Sequence, residues 1–221
     1  MPSPAFPRQP EPAAVAWFTS AAGQALLASE AGCVADALHQ RPGQPLLWLG
    51  PHATPLPGGA TTGVLLRLHP APAAGYTGGL RCGLPLPLAN DCCATIVVQH
   101  AGDIDATAAS LLEECTRVLL PGGWVWLLAL NPLSPYRLRW RGQGLSAREP
   151  ITWRRRLRAA GLAPEAVSQG VGPRWDIAAA AGEQDGAGLR AAFLLRAQKR
   201  VHPLTPLRQP RPLGWQTGTP A

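Results

Sequence analysis

The sequence predicts an α/β fold built on a mostly parallel β-sheet. Four short apolar runs have the length and composition of strands that are buried on both faces. A segment with a clear helical stripe of apolar residues separates the third run from the fourth. A strand, a helix and a second strand in this order form a parallel βαβ unit. The length of 221 residues suits one domain with a single sizeable core.

The composition indicates where the chain is ordered. Apolar residues make up 46% of the sequence, and 24 glycines and 25 prolines leave it just below the range typical of disordered proteins. We expect residues 1–12 to be a disordered lead-in, residues 13–200 to form the domain and residues 201–221 to be a basic, proline-rich disordered tail. We see neither an apolar run long enough to span a membrane nor a secretory signal, so we expect a cytoplasmic protein.

The first part of the domain is predicted to contain one helix and two strands. The helix runs from an N-cap at Thr19 or Ser20 to Gln40, and Glu30 is expected away from its apolar face. The two strands are 46–50 (LLWLG) and 63–68 (GVLLRL). Only 12 residues, 51–62, separate these strands, and their prolines and glycines oppose a helix. The first crossover helix is therefore predicted to be shortened or missing.

The second part of the domain continues the α/β pattern. Strands are predicted at 94–100 (ATIVVQH) and 124–130 (WVWLLAL), with a helix at 105–120 between them that ends at the Pro-Gly-Gly of 121–123. A further helix begins at Pro150 and ends at Gly161. Extended segments at 164–171 and 189–197 are expected to pair as a terminal antiparallel hairpin.

The net charge of +7 is concentrated in two segments. The segment Arg137 to Arg158 carries 8 arginines against one acid, and residues 186–221 carry 6 basic residues and no acid. Tyr136, Trp140 and Trp153 lie among these arginines and could stack on bases while the arginines bind phosphates. A nucleic-acid partner that binds Arg137 to Arg158 and the tail is therefore one hypothesis. The alternative is a solvated helix face with buried tryptophans.

Several motifs together resemble the class I S-adenosylmethionine-dependent methyltransferases. Residues 84–130 match that family's block, including Arg-Val-Leu at 117–119 and Pro-Gly-Gly at 121–123. Asn-Pro-Leu-Ser at 131–134, the helix over 17–30 and the stretch 199–208 extend the resemblance to a small bacterial branch of the methyltransferase type 11 group. The resemblance covers about residues 17–208. It implies a Rossmann-like class I methyltransferase fold, S-adenosylmethionine as cofactor and transfer to an unknown methyl acceptor.

The resemblance also implies where the cofactor binds, because the family holds it at the carboxyl ends of the strands. Carried over residue by residue, the cofactor-binding positions are Gly50, Pro51, His52, His69, Cys82, Gly83, Leu84, Gln99 and His100. The sequence departs from the family at three of these points. One glycine remains of the GxGxG motif, and His69 and Cys82 stand where acidic residues are usual.

The catalytic candidates are His100 and Asn131, which lie at predicted strand ends and could orient an acceptor or act as a base. The alternative is that each bonds nearby backbone. No metal site is expected, because the five cysteines form no CxxC pair and no helical ligand spacing involves the histidines. Because the cofactor motifs are degraded, a catalytically inactive methyltransferase-like scaffold is the alternative function.

Overall fold

A computed structural model describes residues 13–52, 63–71, 75–104 and 108–200. The predicted lead-in and tail, and most of the connection between the first two strands, lie outside these ranges. The described helices are α1 Ala13–Trp17, α2 Ala21–His39, α3 Ala101–Ile104, α4 Ala108–Val118 and α5 Pro150–Ala159, with a 3₁₀ helix at Pro135–Arg139. The described strands are β1 Leu46–Leu49, β2 Leu65–Ala71, β3 Gly75–Gly78, β4 Cys93–Gln99, β5 Leu119–Leu130, β6 Ala163–Pro164, β7 Gln169–Val171, β8 Gln184–Asp185 and β9 Ala192–Gln198.

The strands form one mixed sheet in the order β3-β2-β1-β4-β5-β9-β7-β8, and β6 pairs with β9. The four predicted apolar strands, β1, β2, β4 and β5, are mutually parallel, as expected. At the other end of the sheet, β9 runs antiparallel to β5 and β7 runs antiparallel to β9, which confirms the predicted hairpin. Parallel strands bring their carboxyl ends to one edge of the sheet, and the candidate site lies at that edge.

Helices cover both faces of the central strands. Leu47 and Leu49 of β1 point into the larger core, which contains residues of α4 and α5. Leu46 and Trp48, the alternate residues of the same strand, point into a second core beneath α2. The period of two along a strand requires this alternation, and burial of both faces explains why β1 reads as a continuous apolar run.

The helix boundaries follow the expected capping chemistry. The hydroxyl of Ser20 accepts a hydrogen bond from the backbone N–H of Gly23 at 3.2 Å, which identifies Ser20 as the N-cap of α2. Pro150 occupies the first turn of α5, where a missing N–H costs nothing. Gly161, just beyond that helix, has a φ of +86°.

Several elements differ from the sequence prediction. The sequence patterns do not predict α1, α3, the 3₁₀ helix, β3 or β8. β3 pairs antiparallel with an extended β2, and an isolated bridge between Tyr76 and Cys82 supports it. Its sequence, GYTG, has no apolar run, so pairing rather than composition makes it a strand. The helix predicted to reach residue 120 ends at Val118, and β5 begins at once, so the Pro-Gly-Gly of 121–123 lies within the strand segment and not in a loop.

Candidate functional site

The strand order reverses between β1 and β4, because β2 and β3 extend from β1 while β5 extends from β4. In open α/β sheets, ligands bind outside the carboxyl ends of the strands at such a reversal point. The side chains at the ends of β1 and β4 therefore decide what this protein can bind there.

A buried network of hydrogen bonds occupies the reversal point. The indole N–H of Trp48 on β1 donates to Oε1 of Gln99 on β4 at 3.1 Å. The Gln99 amide in turn donates to Oε2 of Glu30 on α2 at 2.8 Å. Gln99 is 2% exposed and Glu30 is fully buried. The network therefore ties α2 to two neighbouring strands.

His100 continues this network between two carboxylates. Its Nε2 lies 2.9 Å from Oε1 of Glu30, and its Nδ1 lies 3.0 Å from Oδ2 of Asp103. All three side chains are fully buried. A ring whose two nitrogens both face carboxylate oxygens donates from both, which is the imidazolium form.

The pKa of His100 reflects this competition. Burial alone lowers the pKa, but the Glu30 charge and the hydrogen bonds to Asp103 and Glu30 outweigh burial and raise the pKa to about 9. The pKa of Asp103 is raised, because burial raises it by more than the hydrogen bonds from His100 and from the backbone N–H of Leu130 lower it. We infer that the network holds a buried positive charge between the two acids at neutral pH.

The backbone and a neighbouring ring hold His100 in place. Its φ of +56° is in the left-handed region, which costs a non-glycine residue conformational energy. The Phe18 ring lies against the imidazole, with the two ring centroids 4.9 Å apart. Within the described ranges, no group of three His, Cys, Asp or Glu side chains could hold a metal ion. The two carboxylates of the network contact the imidazole of His100, which lies between them.

A hollow of about 220 Å³ opens beside the network, at the carboxyl end of β1 and alongside the middle of β2. Its described lining is Trp48, Gly50, His52, Arg67, Leu68, His69, Gly78 and Gly79. The Arg67 guanidinium lies over the Trp48 ring, 4.5 Å from the ring centroid, and burial lowers the pKa of Arg67. The Gln24 amide of α2 donates to His52, with 3.2 Å between the two Nε2 atoms.

The structure brings together three of the nine residues proposed to bind the cofactor: Gly50, His52 and His69 line the hollow. Pro51 is buried beside it, Gly83 is exposed and Leu84 packs against the larger core. Cys82 forms the bridge to β3. Gln99 and His100 lie in the buried network and do not line the hollow, because their polar atoms are bonded to other side chains.

Asn131, the second catalytic candidate, is fully buried and bonds backbone. Its amide nitrogen donates to the carbonyl oxygens of Gly188 and Arg190, both at 2.9 Å, and its Oδ1 accepts from the N–H of Leu133 at 3.1 Å. These bonds join the end of β5 to the loop before β9. These contacts match the alternative interpretation of Asn131, in which a strand-end side chain forms hydrogen bonds to nearby backbone.

A larger groove of about 650 Å³ lies near the end of β5, between α1, the start of α2 and the 3₁₀ helix. Trp17, Tyr136, Arg139 and Trp175 are in its wall. The indole N–H of Trp17 donates to the Arg139 carbonyl at 2.9 Å, and the Tyr136 hydroxyl donates to the Ala22 carbonyl at 3.0 Å. Trp175 is 61% exposed at the rim.

The Arg-rich segment does not present the aromatic surface that base stacking requires. Tyr136 and Trp153 are 1% exposed and Trp140 is 8% exposed, so all three pack in the interior. Arg155 and Arg158 lie on the outer side of α5. The alternative of a solvated helix face over buried aromatics is therefore confirmed for this segment, and base stacking by these rings is wrong. In the described part of the chain, no helix has both the length and the apolar character to cross a membrane.

The side chains that sequence reasoning missed are Glu30, Asp103, Trp48 and Arg67. For Glu30 a signal existed, because it lies four residues from both Leu26 and Val34, which are buried on α2. The prediction that Glu30 lies away from the apolar face is wrong, since its carboxylate is buried where it meets Gln99 and His100.

Comparison with known proteins supports the fold. No protein-family model and no curated protein matches the sequence. Among solved structures, a SAM-dependent methyltransferase from Thermotoga maritima matches with a TM-score of 0.55 and 13% identity over 84% of this chain and 94% of that chain. A SAM-dependent methyltransferase from Aquifex aeolicus matches with a TM-score of 0.51 and 12% identity over 86% of this chain and 99% of that chain.

A third match is one chain of the Haloferax volcanii complex that contains the Trm112 methyltransferase activator. Its TM-score is 0.53 and its identity 14%, over 86% of this chain and 98% of that chain. The resemblance in fold to all three structures is extensive while the identity is low. The chain therefore has the Rossmann-like class I methyltransferase fold that the motifs implied.

Proposed function

We propose that this protein is an S-adenosylmethionine-dependent methyltransferase whose cofactor binds at the hollow formed by the carboxyl end of β1 and the middle of β2. One observation carries the proposal. In a sheet of the methyltransferase type, this hollow opens at the carboxyl end of the parallel strand β1, and the carboxyl ends of parallel strands are where such sheets bind ligands. The type 11 branch, a bacterial source and the cytoplasmic location remain part of this proposal.

The chemical types of residue in the hollow suit an adenosyl amino acid. The carboxylates that are usual in the family are absent from its described lining. Trp48 contributes apolar lining beneath the Arg67 guanidinium. The imidazoles of His52 and His69 can bond hydroxyl groups. Arg67 supplies a cation for a carboxylate. These assignments replace the acidic ribose ligand of the family with neutral or basic groups.

The chain's role in this proposal is to position the reactants. The bound cofactor supplies a methyl group already activated as a sulfonium. The hollow orients one ligand relative to the other. Holding reacting atoms at about 3 Å in line can supply roughly 7–11 kcal/mol of rate acceleration without a catalytic side chain. The burial of His100 and Asn131 is therefore compatible with methyl transfer.

We place the methyl acceptor in the larger groove near the end of β5. Its volume of about 650 Å³ is in the range of small-molecule sites. The exposed ring of Trp175 gives its rim an aromatic surface, and the exposed Arg139 adds a cation. The first turn of α2 lines the groove through Ser20 and Ala21, and Gln24, one turn further along, contacts His52 of the hollow. An acceptor that serves this reaction must reach past that turn.

Titration calorimetry with S-adenosylmethionine and S-adenosylhomocysteine tests the proposal. We expect saturable binding of at least one ligand by the full chain. His69→Ala should weaken it, whereas His39→Ala, a matched change on the exposed end of α2, should leave it unchanged. If a folded chain shows neither heat nor a thermal shift with either ligand at millimolar concentration, the methyltransferase proposal fails.

The second candidate function is a catalytically inactive methyltransferase-like scaffold. The observation that favours it is the buried network at the strand reversal point, where Gln99 and His100 are bonded to other side chains and do not face an open cleft. A negative titration combined with a cooperative, stable fold is the result that this alternative expects.

A further inference from the structure

Two neighbouring cysteines lie where β4 begins. The five cysteines of the chain are all free thiols, and the Sγ atoms of Cys92 and Cys93 are 3.7 Å apart. A disulfide bond joins its two sulfur atoms at about 2.05 Å, so a movement of less than about 2 Å would connect this pair. The two thiols are therefore close enough to react with each other.

The backbone brings both sulfur atoms to one side of the sheet. Successive residues of a regular strand point to opposite faces, which would hold two neighbouring cysteines apart. Here β4 begins at Cys93, and Cys92 precedes the strand. Asp91 has a φ of +53°, in the left-handed region, so the chain turns immediately before the pair. As a result, Cys93 belongs to the larger core and Cys92 packs against that same core.

The two thiols differ in their access to solvent. Cys93 is 4% exposed, whereas Cys92 is only partly buried. Burial raises the pKa of Cys93, and so do the charge of Cys92 and the hydrogen bond with it. Cys93 therefore remains a thiol at neutral pH, and a reagent that arrives from solvent meets Cys92 first.

A cation lies close to the accessible thiol. The pKa of Arg117 is raised, first by its hydrogen bond to Glu114 and more weakly by Cys92. The Arg117 guanidinium also donates to the Leu88 carbonyl at 2.9 Å and to Oδ1 of Asn90 at 2.6 Å, so it is held against the segment that leads into Cys92. Partly exposed cysteines in such electropositive surroundings are typical of reactive thiols, whereas fully buried cysteines are inert.

From this arrangement we propose that Cys92 and Cys93 form a redox modification site, at which hydrogen peroxide converts the two thiols into a disulfide bond. The Cys92 thiolate attacks one peroxide oxygen, the O–O bond breaks, and Cys92 becomes a sulfenic acid. The other oxygen takes up the proton that Cys92 had lost and leaves as water. The Cys93 sulfur then attacks the Cys92 sulfur, and the hydroxyl group leaves with the Cys93 proton as a second water. The two thiols lose two electrons in total, and the peroxide gains them.

The covalent geometry makes this disulfide reversible. Neighbouring Cα atoms across a trans peptide lie about 3.8 Å apart, short of the roughly 4.4–6.8 Å that disulfides usually span. Disulfides outside the usual range are strained and easily reduced, so we expect a thiol reductant to restore both cysteines. The pair lies at the amino end of β4, whereas the hollow opens at the carboxyl edge of the sheet, so this inference does not rest on the proposed function.

Peptide mapping of the full chain tests the proposal. The folded protein is treated with stoichiometric hydrogen peroxide, and the remaining free thiols are alkylated as the chain is denatured. Cleavage before Asp91 and Asp103 then releases the peptide 91–102, whose only cysteines are Cys92 and Cys93. We expect this peptide to lose two hydrogens and to escape alkylation. Treatment of the oxidised protein with dithiothreitol should restore both thiols, and the peptide should then take up two alkyl groups.

Variants identify the role of each thiol. In Cys93→Ser, oxidation of Cys92 should stop at the sulfenic acid, which dimedone traps on the peptide. Cys93→Ala replaces this variant if a serine hydroxyl is not tolerated in the core. In Cys92→Ser, the peptide should stay unoxidised, because the remaining thiol is buried. Cys82→Ser, a matched change at another partly buried cysteine, should leave the loss of two hydrogens unchanged.

Three results would overturn the proposal. The first is a peptide 91–102 that takes up two alkyl groups after peroxide treatment of the folded chain. The second is a disulfide that joins Cys92 or Cys93 to a cysteine elsewhere in the chain or in a second chain. The third is a disulfide within the peptide that dithiothreitol does not reduce in the folded chain. The mapping uses the unmutated protein, so it decides the proposal even where a variant does not fold.

Discussion

The buried pair of carboxylates around His100 makes the stability of this protein depend on pH in a defined window. The ordinary pKa of histidine is 6.5, and the pKa of His100 is about 9. Each pH unit between these values corresponds to about 1.36 kcal/mol, so the network contributes about 3 kcal/mol through this proton. His100 is fully buried, so solvent screening does not reduce this contribution much.

The sign follows from which state binds the proton more tightly. Below pH 6.5, His100 is charged in both the folded and the unfolded chain, and the contribution is fully present. Between pH 6.5 and about 9, the folded chain keeps a proton that the unfolded chain releases, so the free energy of unfolding falls as pH rises. Above about pH 9, the contribution is lost.

Urea unfolding followed by tryptophan fluorescence at pH 6.5, 7.5 and 9 measures this dependence. His100→Asn should remove the slope that belongs to the network. It should also cost about 3–5 kcal/mol at pH 6.5, because Glu30 and Asp103 then remain buried without their cation. His39→Asn, on the exposed end of α2, is the matched control and should keep the slope of the original protein.

A second variant covers the case in which His100→Asn does not fold. Glu30→Gln removes the charge that does most to raise the pKa of His100, so the pH-dependent contribution should shrink and its window should end at a lower pH. Equal pH profiles in the original protein, Glu30→Gln and the His39 control would refute the assignment of a positive charge to His100.

The remaining predictions concern the contacts that shape the site, and urea unfolding measures each of them. Asn131→Ala should cost about 1–3 kcal/mol, because it leaves buried backbone groups at the end of β5 without a partner; a neutral result would contradict its role as a backbone anchor. Gln99→Leu should cost a similar amount, since the Trp48 indole N–H then loses its acceptor. Gly78→Ala should destabilise the hairpin by about 1–3 kcal/mol, because Gly78 has a positive φ and the added Cβ would collide with the Arg67 carbonyl oxygen. Its control is Gly32→Ala on α2, where the added Cβ meets open space, and this change should be neutral or stabilising by up to about 1 kcal/mol.

Local patterns were sufficient for the framework of the fold. The apolar run of β1 alternates between two cores, and burial of both faces is what its composition indicated. Ser20 caps α2 and Pro150 opens α5, because capping and proline geometry depend on the nearest residues alone. The parallel arrangement followed from the order of strands and helices, which leaves few topologies open.

The strand β3 is an element that local sequence patterns do not predict. GYTG has no alternation of apolar and polar residues, and threonine is its only β-branched residue. It nevertheless pairs with β2 along its whole length. The partner strand provides the hydrogen bonds, so the segment becomes a strand through a neighbour and not through its own composition. The same holds for the start of β5, where pairing of Leu119 with Cys93 ends the helix sooner than its apolar period suggests.

The sequence by itself determined the α/β class and the four parallel strands. The tertiary structure alone decided what occupies the strand reversal point, because Glu30 and His100 are 70 residues apart and meet only when α2 crosses the ends of β1 and β4. The physical reason is that periodicity and capping act over a few residues, whereas the pairing of buried charges depends on sheet order and register.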